Sequence, residues 1–366
     1  MSDAAKHNGF MVIDGNEVEP RPGETILSAA RRLGIDVPTL CQDDRLKPAG
    51  ACRMCLVEID GERRLAPSCA RPAAPGQVVR TASPRVERNR RFLLSLHLAD
   101  TVQDRAAAED VTPSKLHALA DRHGTAGDWT PVEPPRAAAV LHGSDNPYIL
   151  FRPDRCVVCG LCTRYCDEVE GVSAITLAGR GSATTIATAD ARSLLDSTCE
   201  MCGGCISVCP TGAMADRRAV EYGKPEQELE AVRTTCNFCG VGCQLDLHVD
   251  RETERVVKVT APPPGTTVND GNLCVKGRFA FDFVHHPDRL TVPLVRDRES
   301  GALVESTWDE ALDLAAAGLQ RVAAEHGADS LAFISSSRCT VEENYLVQKM
   351  ARAAFRTQNV HQCAAT

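Results

Sequence analysis

Aromatic side chains are scarce in this 366-residue, 39.4 kDa chain, which holds 2 Trp, 4 Tyr and 9 Phe. Large rings therefore supply little of its packing. Long apolar runs are missing too: no window of about 18 uncharged apolar residues occurs. The stretch Met1 to Gly9 is polar, without an apolar leader or a twin-arginine pair. A soluble, cytoplasmic protein is expected. Basic excess is also lacking, since 41 Lys and Arg face 49 Asp and Glu for a formal charge of −8. A nucleic-acid footprint, which is basic, is not expected. No G-x-G-x-x-G follows a strand pattern, and neither a P-loop nor H-E-x-x-H or H-x3-H spacing is present. The nucleotide and zinc sites built on those motifs are therefore set aside.

Cysteine, by contrast, is abundant at 18 residues. In a reducing compartment such density points to metal ligation rather than disulfides. Bound metal would also supply stability that small, aromatic-poor domains lack. The length suits about two to four domains.

Alternating Phe10, Val12 and Val18 around Asp14-Gly15 predict a hairpin over 10–19, followed by a helix from Glu24 to Leu33 stopped by Gly34. A second hairpin is expected from Val57 to Leu65 at Asp60-Gly61, completing a small α+β unit. Arg85 to Ala99 and Pro113 to Arg122 read as helices, the second capped by Thr112 with Pro113 at its first position. Residues 124–147, rich in Pro and Gly, read as a linker. Thr307-Trp-Asp-Glu310 is a capping box opening a helix to about Glu325, Leu331 to Ser335 a short buried strand, and Thr340-Val-Glu-Glu343 a second capping box. This last stretch begins an α/β domain too short to cover both faces of its own sheet.

Sixteen cysteines fall into four sets. Cys156, Cys159, Cys162 and Cys166 form C-x2-C-x2-C-x3-C, and Cys199, Cys202, Cys205 and Cys209 repeat it, with Pro210 next. This is the signature of a bacterial-type two-cluster ferredoxin, in which each fourth Cys serves the other cluster. One [4Fe-4S] cluster then takes Cys156, Cys159, Cys162 and Cys209, and the other Cys199, Cys202, Cys205 and Cys166. Cys41, Cys52, Cys55 and Cys69 keep the central C-x2-C and distant fourth ligand of a [2Fe-2S] domain, with a zinc ribbon as the alternative. Cys236, Cys239, Cys243 and Cys274 form C-x2-C-x3-C with a remote fourth ligand, for which zinc is again a rival. Cys339 and Cys363 remain and read as small core residues. His285-His286 beside Pro287 reads as a turn.

The order of these motifs resembles a known family. The Cys41 domain resembles the N-terminus of the large subunit of NADH-quinone oxidoreductase and of NAD-linked formate dehydrogenase alpha subunits. The run CNFCGVGC at 236–243, with Cys274-Val-Lys276-Gly, resembles the [4Fe-4S] domain of molybdopterin oxidoreductases. SSSRCTVEENYLVQKMARAAF at 335–355, then Gln358-Asn-Val360, resembles the formate dehydrogenase branch. The resemblance implies an α+β multidomain chain: a β-grasp [2Fe-2S] domain over 8–84, a helical segment and linker over 85–145, a 2[4Fe-4S] ferredoxin-like domain over 146–226, a [4Fe-4S] domain over 229–290 and an incomplete α/β molybdopterin domain over 291–366. It implies one [2Fe-2S] and three [4Fe-4S] clusters, with a Mo or W bis-(molybdopterin guanine dinucleotide) centre in the whole enzyme. Lys276 would lie between cluster and pterin and serve electron transfer, and Arg338 would contact the cofactor from a loop after a strand. Formate would be the substrate, and a flavin and iron-sulfur diaphorase linked to NAD the partner, or else a ferredoxin or hydrogenase. A stand-alone iron-sulfur carrier, a nitrate reductase and a complex I-like subunit are the alternatives.

Two departures from the family pattern stand out. His97-Leu-Ala-Asp100 resembles the opening of a motif of one histidine and three cysteines, but Thr101, Asp104 and Asp110 occupy the cysteine positions, so that cluster is expected to be absent. The family's selenocysteine or cysteine metal ligand would fall four places after Cys363, at position 367, whereas the sequence stops at Thr366. An in-frame UGA selenocysteine codon read as stop is the expectation from that spacing.

Overall fold

The computed structural model describes residues 9–101, 112–125 and 146–363. They fall into two compact units, one of residues up to 230 with 248–252, the other of residues 231–247 with 253 onward.

The first unit opens with β1 (Met11–Ile13) and β2 (Asn16–Val18), the expected hairpin, whose turn places Asp14 and Gly15 at positive φ. Helix α1 (Ile26–Arg32) follows, capped by Thr25, whose hydroxyl accepts from the Ser28 amide at 3.2 Å. Strands β3 (Leu56–Ile59), β4 (Ala66–Pro67) and β5 (Val78–Arg80) complete a mixed sheet ordered β2-β1-β5-β3-β4, with β1 and β5 parallel. The second hairpin closes later than expected. Asp60 donates to the Val78 carbonyl and so joins β5, and the returning strand begins only after Leu65. Ile26, Leu27, Ala29 and Ala30 of α1 pack on Met11, Ile13, Val57, Ile59 and Val79, in a core that includes Cys55 and Cys69. One helix across a mixed sheet is the β-grasp arrangement.

Helix α2 (Pro84–Ala99) is capped by Ser83 with Pro84 at its first turn. Helix α3 (Lys115–Arg122) begins two residues later than the sequence pattern suggested: Ser114 is the cap, its hydroxyl accepting from the His117 amide. Pro113 disfavours helical backbone only at the residue before it, so Ser114 is free to act as the cap. Both helices pack on the Cys41 loop, in a core of Leu40, Cys41, Cys52, Met54, Leu94, Leu98, Leu116, Leu119, Ala120 and Val157. Most of the expected linker, and Asp104 and Asp110, lie outside the described residues. Thr101 closes α2, its hydroxyl donating to the His97 and Leu98 carbonyls at 3.1 and 3.3 Å.

The ferredoxin-like part holds β6 (Ile149–Phe151), α4 (Leu161–Glu168), β7 (Thr176–Ala178), β8 (Thr185–Ala187), α5 (Gly204–Ser207), β9 (Met214–Asp216) and α6 (Arg217–Tyr222), with β6 antiparallel to β9 and β7 to β8. Its two halves repeat in backbone detail. Val158 and Met201, each two residues after the first Cys of its motif, have φ 52 and 54. Gly160 and Gly203, each just after the second Cys, have φ 68 and 71 and lead into α4 and α5. A β-branched valine at positive φ is strained, and surrounding structure must hold it there.

The second unit contains a sheet ordered β10 (Glu230–Thr235), β11 (Gln244–Asp250) and β12 (Arg255–Thr260), with the short helix α7 (Val275–Phe279). Antiparallel β13 (Leu294–Arg296) and β14 (Leu303–Glu305) follow. Helix α8 (Trp308–His326) starts in the expected capping box of Thr307 and Glu310 and stops at Gly327. Then β15 (Phe333–Ser336), α9 (Val341–Lys349, with the second capping box) and β16 (Val360–Cys363) form a parallel βαβ unit. The strand is buried on one side only: Ser335 is covered, whereas Ile334 is 72% exposed. Two strands leave the outer face of this sheet bare, and α8 has no buried residue.

Candidate iron–sulfur sites

Every member of the four cysteine sets is a free thiol, and the backbone gathers each set. Cys156, Cys159, Cys162 and Cys209 line one pocket, about 310 Å³ including its open mouth, with Val157, Ile186 and Met214 among its apolar walls. Cys166, Cys199, Cys202 and Cys205 line a second of about 340 Å³, walled by Ile149, Tyr165, Leu194 and Met214. These are the crossed groupings, three sulfurs from one motif and the fourth from the other. Backbone amides aim at the sulfurs at matching places. Val158 N donates to Cys156 Sγ and Met201 N to Cys199 Sγ, both at 3.4 Å, while Ala174 N reaches Cys166 Sγ at 3.2 Å and Met214 N reaches Cys209 Sγ at 3.3 Å. The positive φ of Val158 and Met201 serves this turn of the amides toward sulfur.

Burial pushes the Cys159 thiol up to about 12 and the Cys162 thiol well above its ordinary value. A thiolate at these positions needs a cationic partner, which metal binding supplies with release of the proton. Among the described residues no three Cys, His, Asp or Glu side chains gather closely enough to hold one metal ion. Four sulfurs around a pocket form the donor set that a bacterial-type [4Fe-4S] motif provides.

At the first site the sulfurs are arranged in pairs. Cys41 and Cys52 hydrogen-bond to one another, which holds Cys41 down to about 6 and pushes Cys52 up. Cys55 and Cys69 form the second pair, with Cys69 lowered and Cys55 raised by the same bond. The Leu40 amide donates to Cys52 Sγ and the Cys52 amide to Cys41 Sγ, both at 3.4 Å. Two cysteine pairs are the donor set of a two-iron cluster. Two arginines that sequence reasoning missed flank the site. Buried Arg90 of α2 donates to the Met54 and Leu56 carbonyls, both at 3.2 Å, on either side of Cys55. Arg164 of α4 donates to the Cys41 carbonyl at 2.7 Å. Nothing in the motif marks Arg90, but Arg164 stands between Cys162 and Cys166.

In the second unit Cys236 and Cys243 lie beside Cys239 and Cys274, and burial pushes both thiols up. The Cys236 amide donates to the Cys243 carbonyl at 2.8 Å, closing the loop, and Leu245, Val259 and Leu273 form the apolar core behind it. Cys274 caps α7, which places half-buried Lys276 in its first turn. A Cβ on Gly277 would stand 3.6 Å from Cys236 Sγ, so this helix lies directly against the cysteine loop. Arg338 follows β15, at the carboxyl end of the parallel pair, and its guanidinium lies 5.9 Å from the ring of Phe238, inside the cysteine loop. Phe238 is a further contact that cysteine spacing does not mark.

Cys339 is exposed, not a core residue as expected, because it occupies the turn between β15 and α9, where its amide bonds the Ser336 carbonyl. The backbone of Cys363 pairs with Ser336. His285 and His286 form a turn as expected, His285 Nε2 accepting from the Val256 amide and His286 Nδ1 from the Asp288 amide.

Four gathered cysteine sets, three of them with amides directed at sulfur, define an iron–sulfur electron-transfer protein. Likeness to known proteins narrows the class. Residues 11–84 match a 2Fe-2S iron-sulfur cluster binding domain, and 146–215 the ferredoxin-like domain of NADH-quinone oxidoreductase subunit 3. Residues 229–286 match the molybdopterin oxidoreductase Fe4S4 domain, and 289–366 the molybdopterin oxidoreductase domain. Residues 229–366 thus match the iron–sulfur region and the opening of the molybdopterin domain of molybdopterin oxidoreductases, behind the two ferredoxin-type domains. It is 35% identical over 96% of its length to 40% of an NADPH-Fe(3+) oxidoreductase alpha subunit of Geobacter sulfurreducens. It is 36% identical over 96% of its length to 39% of an NADH-quinone oxidoreductase subunit of Rhizobium meliloti. A Bacillus subtilis protein provisionally named a formate dehydrogenase is 30% identical, with 96% of this chain and 39% of that protein covered. The chain thus spans about two fifths of the length of these relatives. A solved chain of an NAD+-reducing [NiFe]-hydrogenase is 33% identical, with a TM-score of 0.51, covering 57% of this chain and 88% of that one. Among the described residues no helix is long and apolar enough to cross a membrane.

Proposed function

We propose that this chain is the electron-transfer portion of a cytoplasmic formate dehydrogenase, whose whole enzyme oxidises formate to CO2 at a Mo or W bis-(molybdopterin guanine dinucleotide) centre and delivers the electrons to an NAD-reducing flavin and iron–sulfur partner. The observation that carries the electron-transfer part is the pair of crossed four-cysteine cavities. In this reading the Cys41, Cys52, Cys55 and Cys69 set holds a [2Fe-2S] cluster. The Cys156, Cys159, Cys162 and Cys209 set, the Cys199, Cys202, Cys205 and Cys166 set and the Cys236, Cys239, Cys243 and Cys274 set hold [4Fe-4S] clusters. When bound, the pterin-held metal supplies two-electron chemistry and the clusters one-electron carriers. The protein's part is to bury the sulfurs, aim amides at them and so set their potentials. Lys276, two residues beyond Cys274, and Arg338, at the strand end where open α/β sheets bind ligands, face the cofactor in this reading. The domain division given by the motifs, 8–84, 85–145, 146–226, 229–290 and 291–366, is part of the same proposal.

Formate is favoured by the 335–355 motif and by the Bacillus subtilis relative. The relatives at 35% and 36% identity favour a second reading, a pyridine-nucleotide oxidoreductase subunit without formate chemistry. Formate-dependent viologen reduction by the native, metal-loaded enzyme containing this chain separates them. Its absence, with pyridine-nucleotide oxidation retained, would sink the formate assignment.

A further inference from the structure

Arg164 is one residue in contact with three sites. Its backbone, in α4, stands between Cys162 of one four-cysteine cavity and Cys166 of the other. Its guanidinium leaves that helix and reaches the Cys41 loop, donating to the Cys41 carbonyl and to the Lys47 carbonyl, both at 2.7 Å. The same loop is held again four residues along α4, where the Glu168 carboxylate accepts from the Lys47 amide at 2.8 Å. A third contact puts the Arg45 guanidinium 5.0 Å above the ring of Tyr165. Apolar packing continues the junction, since Val157 and Cys159 lie in one cluster with Cys41 and Cys52.

The two arginines beside the Cys41 site differ in how their charge is compensated. Arg90 is ion-paired to Glu87 at 2.8 Å. Arg164 directs its donors to two carbonyl oxygens rather than to a carboxylate, and the Asp43 carboxylate, itself bound by Arg45, lies near enough to feel its charge. A cation held one hydrogen bond from a cluster ligand favours the form of that cluster carrying the extra electron, because the added negative charge is attracted to it. The planar fork also fixes direction, since two N–H groups on two carbonyls of one loop allow little rotation.

We propose that Arg164 is a positioning residue that clamps the ferredoxin-like helix to the Cys41 loop and raises the reduction potential of the cluster held by Cys41, Cys52, Cys55 and Cys69. This rests on the reading of that set as a [2Fe-2S] site, and goes beyond it in naming the residue that couples the site to its neighbour. Arg164 binds no iron, so its replacement leaves all sixteen ligands in place.

The test is an EPR-monitored redox titration of the 366-residue chain with its clusters reconstituted, comparing wild type with Arg164→Gln and Arg164→Lys. For Arg164→Gln the ratio of reduced to oxidised [2Fe-2S] cluster at a fixed potential is expected to fall on the order of tenfold. The magnetic broadening of its signal by the neighbouring reduced [4Fe-4S] cluster should weaken as well. Arg164→Lys keeps the charge but not the fork and should shift the ratio less while still losing broadening. A [2Fe-2S] signal with wild-type potential and wild-type broadening in both variants overturns the proposal. Should Arg164→Gln fail to retain clusters, the Lys variant decides by the same broadening. A wild-type chain with no [2Fe-2S] signal at all would instead refute the reading of the cysteine set, so the two failures are distinguishable.

Discussion

Arg90 Nε donates to the Met54 carbonyl at 3.2 Å from a side chain that is almost wholly buried, and in doing so ties helix α2 to the loop that carries Cys55. The same guanidinium reaches the Leu56 carbonyl and the Glu87 carboxylate, so its charge and three of its donors are satisfied inside the protein. Replacing it by Met should leave the Met54 and Leu56 carbonyls without their partner and Glu87 with His123 alone, and cost at least about 1–3 kcal/mol. Thermal unfolding of Arg90→Met should show that loss, and the visible absorption of the [2Fe-2S] site should fall with it. An unchanged melting temperature would show that the arginine is not what holds this loop.

Glycine matters differently at two cluster sites. A Cβ on Gly204 would lie 2.0 Å from Tyr165 Cε1, inside a ring that is itself buried. Gly204→Ala must displace the tyrosine and should destabilise the ferredoxin-like part by at least about 1–3 kcal/mol, with loss of [4Fe-4S] absorption. Gly277→Ala places its Cβ 3.4 Å from Leu273 and 3.6 Å from Cys236 Sγ, ordinary contacts, and should be close to neutral. Equal cluster content in the two variants would contradict this difference.

Iron content tests the cysteine sets directly. One [2Fe-2S] and three [4Fe-4S] clusters require about fourteen iron per chain, and a value near eighteen would restore the additional cluster beside His97. Because the sets cross, Cys209→Ser should remove the cluster of Cys156, Cys159 and Cys162, and Cys166→Ser the other. Mössbauer quantification of each variant checks this, and zinc in place of iron would refute the cluster assignment.

Glu87 joins α2 to α3 through His123 Nδ1 at 2.8 Å, and to Arg90 within its own helix. Burial raises its carboxyl, but the His123 hydrogen bond and the Arg90 charge outweigh that and hold it below the ordinary carboxylate range. A depressed folded-state value means stability that is present above the unfolded carboxylate value, near pH 4.3, and lost as pH falls through the folded value. Glu87→Gln should therefore lower the melting temperature of the cluster-free chain at pH 7 and have little effect near pH 3. A deficit of equal size at both pH values would show that charge is not involved.

Local signals in the sequence proved reliable where the interaction itself is local. The capping boxes at Thr307 and Thr340 and the Asp14-Gly15 turn depend on residues a few places apart, and each formed as read. The cap of α3 shifted from Thr112 to Ser114 because two hydroxyl residues flank one proline and the pattern does not choose between them. Cys339 was misplaced because a lone cysteine carries no period, and its burial depends on which strand end it occupies.

The sequence by itself determined which sulfurs are offered as a set, since cysteine spacing sets how a short loop can wrap sulfur around a common centre. Tertiary structure alone decided what surrounds those sulfurs. Arg90 reaches a site 36 residues away and Arg164 one 123 residues away, both by bonds to backbone carbonyls. Every residue offers such a carbonyl, so the partner leaves no mark in the sequence and is chosen only when the chain packs.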